Sequence, residues 1–551
     1  MKKILYVLAT CVASMHALEF GTMGNVSASM GGAGVALKNS AFGLYYNPAL
    51  LSASPKVKFG YSVGVSIQEK NIAQLATIDI ANMQRTAQNL ASSFGGSGGT
   101  GGSGAVDGVA KAVDNALDSV LNSSGSSGSQ STQQKLESYL KTSNGNHNDL
   151  IDKIKENVKN SNDLTGIQKD LITGVASGID FNNLKFDNGT GTNTVNLANA
   201  ISSITISKGS DKGLDKSMSD IAMVQNALQD NHMNLTSQNG IVLQLGSRPL
   251  NDMIGTFAVG LFGSLYSNIS LNANPDKLRL IIEAGGQYYE LTITDDGYTY
   301  GLSNENTYKQ HSLIASLQDA QNGHSIYMTS FVLSEIPVGY ARTFYLKNGN
   351  LNIGIAGKLM NSTSMQNKVP ITTKTDFGAE MSKIVQDFKN TTIDKAIGVD
   401  VGAVYEIDLP KFRYLTLGLV GKNLNSPTFN STLQNITIKP QARAGIAYYT
   451  QSGFNLAFDV DLTQNDIIAF STKDQKSQMI GGGAGFIWKG FDLRLGAMKD
   501  LRQDNGLILT GGVNVLGIID IALQSSTKFT KIQNYPIPQY LSLRVGGSLS
   551  W

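Results

Sequence analysis

The last stretch of the chain, LSLRVGGSLSW, sets Leu541, Leu543, Val545, Leu549 and Trp551 on one side of an extended backbone and Ser542, Arg544, Gly546, Ser548 and Ser550 on the other. Side chains alternate across a strand, so this pattern describes a ribbon with one apolar and one polar face. The same period of two returns in Gly255 to Leu265, Ile397 to Tyr405, Phe454 to Leu462 and Phe491 to Ala497. It also governs Lys56 to Ser66, where Val57, Phe59, Tyr61, Val63 and Val65 oppose Lys58, Gly60, Ser62 and Gly64. Segments of roughly 10 residues with this dyad suit a transmembrane barrel strand, apolar towards lipid and polar towards the lumen.

A secreted β-sandwich alternates as well, so periodicity alone leaves two architectures open. Charged residues make up 16% of this chain and glycines number 59 of 551, whereas an ordinary globular domain has roughly 25% charge and 7% glycine. Low charge, a compact small-residue stretch near the start and a final aromatic residue favour the barrel. The expected fold is an all-β transmembrane barrel of about 14 antiparallel strands, within a range of about 12 to 16.

The N-terminal region divides sharply. MKK followed by ILYVLATCVAS reads as a secretory signal, residues 1–17, with cleavage after Ala17; Leu8 to Cys11 only faintly suggests a lipoprotein signal. Residues 18–55 read as a plug or hatch. Within them Gly21 to Leu51 is rich in Gly, Ala and Ser and carries one charge, Lys38. Such residues allow tight non-repetitive turns, and Asn47-Pro48 fixes a corner. Residues 56–67 form the first strand. Residues 68–238 form a mostly helical and low-complexity insertion, with helix-like pieces Asn71 to Phe94, Ala105 to Leu121, Asp149 to Lys159 and Leu214 to Gln229. The runs at Gly95 to Gly104 and Ser123 to Thr132 read as spacers. Flexible polar linkers cannot sit in hydrocarbon, so the insertion belongs outside the bilayer. Residues 239–551 read as the remainder of the barrel.

Little in the sequence points to catalysis. His16, His147, His232, His311 and His324 are scattered and read as solvated loop residues, and Cys11 is the only cysteine. Gly32-Ala33-Gly34 and Gly481 to Gly485 complete no phosphate-loop motif and read as close-packed plug and strand glycines. Asp459, Asp461 and Asp466 offer oxygen ligands to a divalent ion, but Asp459 and Asp461 fall on an inward face, where lumen polarity accounts for them. Asp400, Asp492, Arg443, Arg494 and Arg544 are of mixed sign, as in a cross-paired interior. A net charge of +2 without a Lys/Arg block argues against a nucleic-acid surface. No cofactor, no metal and no enzymatic activity are expected.

The stretch MGGAGVALKNSAFGLYYNPALL resembles the N-terminal hatch of FadL-type outer-membrane transporters, a glycine-rich segment followed by Asn-Pro-Ala, here Asn47-Pro48-Ala49. LTLGLVGKNLNSPTF, KPQARAGIAYY, FNLAFDVDLTQND and LRLGAMKDL are similar to the barrel-type branch identified as conjugal transfer protein TraF, which also has a long helical insertion after its first strand. A thioredoxin-like family shares that name, but this chain has no CxxC. The resemblance implies an exported protein in the outer membrane of a Gram-negative bacterium. It implies Gly31, Gly32, Gly34, Asn47, Pro48 and Ala49 as hatch or gate residues and Trp551 as the signal read by the barrel assembly machinery, although Phe is the usual last residue. Passive transport of a hydrophobic small molecule follows from it. The alternative is a surface receptor or accessory of conjugation or cell contact, acting through the insertion. The expected partners are outer-membrane lipid, the assembly machinery, a hydrophobic ligand, and a protein partner at the insertion.

Overall fold

The computed structural model describes residues 17–18, 20–72, 78–94, 105–122, 130–162, 166–187, 194–196, 204–209, 212–229, 231–284, 287–294, 297–319, 321, 323–376, 379, 393–430, 435–466, 476–532 and 535–551. The signal sequence up to His16, the run Gly95 to Gly104 and most of Ser123 to Thr132 lie outside the described residues.

Fourteen strands among the described residues close into one antiparallel barrel. In chain order they are β1 (Lys58–Lys70), β2 (His232–Leu245), β3 (Thr256–Asn272), β4 (Ser325–Leu346), β5 (Gly349–Pro370), β6 (Asp394–Leu409) and β7 (Arg413–Lys422). They continue as β8 (Gln441–Tyr449), β9 (Phe454–Asp461), β10 (Met479–Trp488), β11 (Phe491–Asp500), β12 (Leu507–Val515), β13 (Ile519–Ser526) and β14 (Tyr540–Ser550). Each strand pairs with its neighbours in sequence, and β14 closes on β1 from Lys58↔Ser550 to Gln68↔Tyr540. Closure leaves no free edge, which is what allows strands to stand in hydrocarbon. Among the described residues no helix is long and apolar enough to cross a membrane.

Alternation sorts the two faces. Val63 is 62% exposed and Leu495 64% exposed on the outside, while Lys58, Ser62, Arg494 and Arg544 are buried within. Towards one end the chain reverses in short connections such as Lys347-Asn348, Pro410 to Phe412 and Lys489-Gly490; towards the other the connections are long. β4 and β5 have 22 residues each, about twice the expected strand length. Their extra residues continue past the apolar belt at the long-loop end.

Two boundaries differ from the sequence reading. The first strand runs to Lys70 and the second begins at His232, so residues 68–70 and 232–238 belong to the wall rather than to the insertion. Polar residues such as Gln68, Asn234 and Gln238 hid those strand ends. Residues 273–324, read as barrel, instead leave it: Leu280–Ala284, Gln287–Ile293 and Gly297–Ser303 form a sheet with Ile204–Ser207 of the insertion.

Together these pieces make a cap with one apolar core. Leu150, Ile154 and Val158 recur every four residues in helix Asn148–Asn160 and so share one buried face. They belong to one buried cluster with Val113 and Leu117, Ile172, Met218, and Ile282, Leu291 and Leu313 from the second piece. Helix Thr132–Thr142 starts at a capping box in which Ser131 accepts from the Gln134 amide and Gln134 accepts in return. The Tyr298 hydroxyl donates to Asp215 over 2.6 Å, and burial and that carboxylate push the phenol above its ordinary range.

The histidines also depart from expectation. His232 and His324 are buried, and His324 accepts from the Asn274 amide at 3.2 Å and bonds Ser316 at 2.9 Å. His147 packs on the Phe181 ring at 5.4 Å. They are packing residues of the cap and its junction with the wall.

Candidate functional site: the hatch and the cavity above it

Residues 20–53 fill the barrel. Every residue from Met23 to Leu37 is buried, although the only helices are the short turns Asn25–Ser29, Gly43–Tyr46 and Leu50–Ala53. Such short turns leave most backbone groups without a local partner, and a buried unpaired group costs about 1 to 3 kcal/mol. Wall side chains supply the partners. Asp459 accepts from the Gly34 and Val35 amides at 2.7 and 2.9 Å. Thr510 accepts from Gly31 N and donates to Ser29 O, and Gln524 donates to Ala28 O at 2.7 Å. Thr416 donates to Ala36 O, and Gln244 reaches Leu51 O, Ser54 O and Lys56 O. Lumen polarity therefore explains Asp459 only in part, since one of its oxygens is committed to the hatch backbone.

The sequence-predicted hatch residues lie in two places along the segment. Gly31 and Gly32 have φ of 66° and 77°, the left-handed region that favours glycine. A Cβ at Gly31 would also strike the wall backbone at Gly482 and Ala497. Gly34 passes beneath the Tyr46 ring. Asn47 ties these turns to the corner: its Nδ2 donates to Val35 O at 3.0 Å, and its Oδ1 accepts from Ala49 N at 3.0 Å. Pro48 and Ala49 rest on Gly354, and Asn47 on Gly402. Inward glycines in the wall recur under the hatch, with Gly418 beneath Val35, Gly483 and Gly496 beneath Met30, and Gly512 beneath Ser29. Hatch backbone and wall backbone thus touch with no side chain between them.

Charges inside the barrel are mostly paired. Arg443 meets Asp461 at 2.5 Å, Arg494 meets Asp520 at 2.5 Å, and Lys358 lies 3.1 Å from Glu335 and 3.0 Å from Asp400. Lys38 of the hatch meets Glu406 at 2.7 Å and stands 3.8 Å from the Tyr414 ring. Phe20 is gripped between cations, with Arg443 3.9 Å and Lys422 4.5 Å from its ring centre. Arg544 departs from the cross-paired expectation. It forms no ion pair among the described residues and donates instead to Gln238 O at 2.7 Å and Ser62 at 3.2 Å.

A cavity of about 70 Å³ lies on the long-loop side of the hatch, touched by Phe20, Gly32, Gln238, Tyr266, Arg443 and Arg544. Pockets that enclose a small organic ligand run from about 300 to 1,000 Å³. This one has room for a few waters. The sequence reading missed its lining. The aromatic Phe20 just before the glycine-rich stretch and the charged inward position of Arg544 were the available signals.

The barrel ladders lapse at two described places. β1 and β2 lose register pairing between Ser62↔Gly240 and Val65↔Ser237. β3 and β4 lose it between Phe262↔Glu335 and Val259↔Val338, where Pro337 has no N–H to offer. Both lapses border the β2–β3 hairpin. Side chains patch the first: Asn239 accepts from Gly64 N at 3.1 Å, Ser237 donates to Gly64 O at 3.0 Å, and Arg544 caps Gln238 O from within. Gln238 and Arg544 also line the cavity, so cavity and lapse adjoin.

Trp551 is 69% exposed at the short-turn rim, where its N–H and carbonyl pair with Val57 at 3.0 and 3.2 Å. Asp459, Asp461 and Asp466 do not gather around one point; Asp461 serves Arg443 and Asp466 pairs with Lys476.

Comparison with known proteins gives one family. The profile of the family described as "F plasmid transfer operon, TraF, protein" matches residues 44–461. Among solved structures, the TodX deltaS2S3 mutant monoaromatic hydrocarbon channel is 10% identical and matches over 96% of this chain and 98% of that chain, with a TM-score of 0.38. The Ralstonia pickettii toluene transporter TbuX is 11% identical over 97% and 98%, with a TM-score of 0.36. A mutant Rh. blastica porin is 10% identical over 59% and 93%, with a TM-score of 0.21. No curated protein matches the chain.

Proposed function

We propose a function from the premise that this chain belongs to the family described as F plasmid transfer operon, TraF, protein: it is a passive outer-membrane conduit for a hydrophobic small molecule, closed at rest by its own N-terminal segment. It sits in the outer membrane of a Gram-negative bacterium, exported by the signal at residues 1–17, with Trp551 read by the barrel assembly machinery. The observation that carries the reading is the hatch itself, which occupies the lumen beneath a small cavity beside the β1–β2 lapse. Ligand entering from the long-loop end displaces Phe20 and the turn at Gly31, Gly32 and Gly34, while Asn47, Pro48 and Ala49 hold the lower corner. It then leaves for the bilayer where Gln238 and Gly64 part. A monoaromatic or toluene-like cargo, as named for the two channels above, is one such molecule.

Deleting Gly21 to Leu51 should open a steady conductance in planar bilayers, where the intact protein is silent; unchanged conductance would sink the hatch reading. A second reading rests on the cap, whose separate core gives it the build of a recognition domain. In that reading the protein is a surface receptor or accessory of conjugation, and removing residues 71–231 with 273–324 abolishes mating or contact phenotypes while uptake persists.

A further inference from the structure

The wall is thinnest along β10. Its outward positions are Ile480, Gly482 and Ala484, and its inward positions are Gly481, Gly483 and Gly485. Neighbouring rungs place Phe458 and Ala497 beside Gly482, Leu456 and Leu495 beside Ala484, and Val460 and Lys499 beside Ile480. Small residues between large ones leave a furrow of about 760 Å³ on the outer surface, walled by Ile446, Tyr448, Leu456, Phe458 and Leu507. It follows the strand for at least three rungs, roughly 13 Å at about 3.3 Å per residue. Lys499 is the one charged residue among those described along it, and it stands at the long-loop end. On the inner side the hatch backbone at Met30 and Gly31 lies directly against Gly481, Gly483 and Gly496.

The geometry points to a binding site for one anionic, phosphate-bearing lipid of the long-loop leaflet, with an acyl chain lying over Gly482, Ala484 and Ala497 and its phosphate on Lys499. The furrow faces hydrocarbon, so its occupant is a lipid. Inside a bilayer burial of apolar surface from water is no longer a driving force, and retention rests on close packing. Small residues permit that close approach along the floor, and the flanking Phe458 and Leu456 side chains close on the chain from one side. The single cation at the leaflet edge selects a negative headgroup. A seated chain stands one backbone layer from the hatch and supports the wall where the hatch leans on it.

The test uses the full-length protein in detergent, titrated with dioleoylphosphatidylglycerol or dioleoylphosphatidylcholine, with retained lipid read by native mass spectrometry. Wild type should keep one phosphatidylglycerol, preferred about five-fold over phosphatidylcholine. Ala497→Leu fills the furrow from an outward position and should lower retention of both lipids about ten-fold, a difference of about 1.4 kcal/mol. Ala484→Leu serves as a second filler, so that misfolding of one variant, seen as lost heat-modifiable gel migration, leaves the other to decide. Lys499→Gln should keep phosphatidylcholine binding and lose the preference. No retained lipid on wild type, or wild-type retention by both folded fillers, overturns the site; an unchanged preference in Lys499→Gln overturns its headgroup assignment.

Discussion

Residues 20–53 and the cap both lie outside the barrel wall, the first within its lumen and the second beyond its long-loop end, yet different forces hold them. The cap has helices of eleven to eighteen residues in its first insertion and an apolar core drawn from two separate insertions. The hatch has three turns of four or five residues and takes its backbone partners from the wall. A domain that carries its own core can stand alone or be exchanged as a unit. A segment whose backbone is paired by another element, and whose apolar side chains pack on that element's inner face, has structure only inside it. This difference in cohesion matches the movable closure and fixed roof proposed above.

The comparison breaks most visibly if one half of the cap is removed. Excising 71–231 alone should strip Leu280, Ile282, Leu291 and Leu313 of their cover, giving an aggregating and protease-sensitive protein, whereas excising 273–324 as well should restore a folded barrel. Limited proteolysis with gel mobility checks this, and equal behaviour of the two deletions would mean the halves do not share a core. Next in size is Leu150→Ala, which should destabilise the cap by about 2 to 5 kcal/mol in denaturant melts and leave channel closure untouched. Asp459→Ala should cost the hatch about 1 to 3 kcal/mol, because the Gly34 and Val35 amides lose a buried acceptor. Its expected readout is intermittent opening in single-channel records with an unchanged cap melt. A cap that loosened as well would erase the distinction.

The smallest effect is a pH dependence confined to the cap. Burial holds the His324 imidazole below its ordinary range. A group whose folded value lies below its unfolded one is neutral in the native state, so its contribution is intact above about pH 6.5 and is lost as the pH falls through the folded value. Protection factors of the amides near Ser316 and Asn274, taken against the intrinsic exchange rate at each pH, should therefore fall between about pH 7 and 5, and His324→Gln should flatten that profile. An equal loss of protection across the hatch over the same range would argue for a different titrating group.

Much of the barrel was legible because lipid imposes a strict rule on every second residue. Val63 and Leu495 outside and Arg494 and Arg544 inside can be assigned from alternation alone. The hatch was legible as composition, since a segment with so many small residues and one charge has little to fold around by itself. What stayed hidden was the match between them. Gly354, Gly402, Gly418, Gly483, Gly496 and Gly512 all occupy inward positions where a polar side chain was expected, and each makes room for a particular hatch residue. Glycine at an inward position looks like a weak strand, not like half of an interface. Residues 273–324 were misread for a related reason: their short strands alternate as wall strands do, and only their pairing with Ile204–Ser207 sets them apart.

The pairing of Leu18 with Asp466 at the long-loop mouth, set against the departure of the segment near Lys56 at the opposite rim, has a consequence for biogenesis. The polypeptide passes through its own cylinder from one opening to the other, so either the cylinder is completed around the thread or the leading end is drawn in afterwards. In the first order the seam between the first and final staves commits the thread as it zips; in the second the lining stays bare until the leading end arrives.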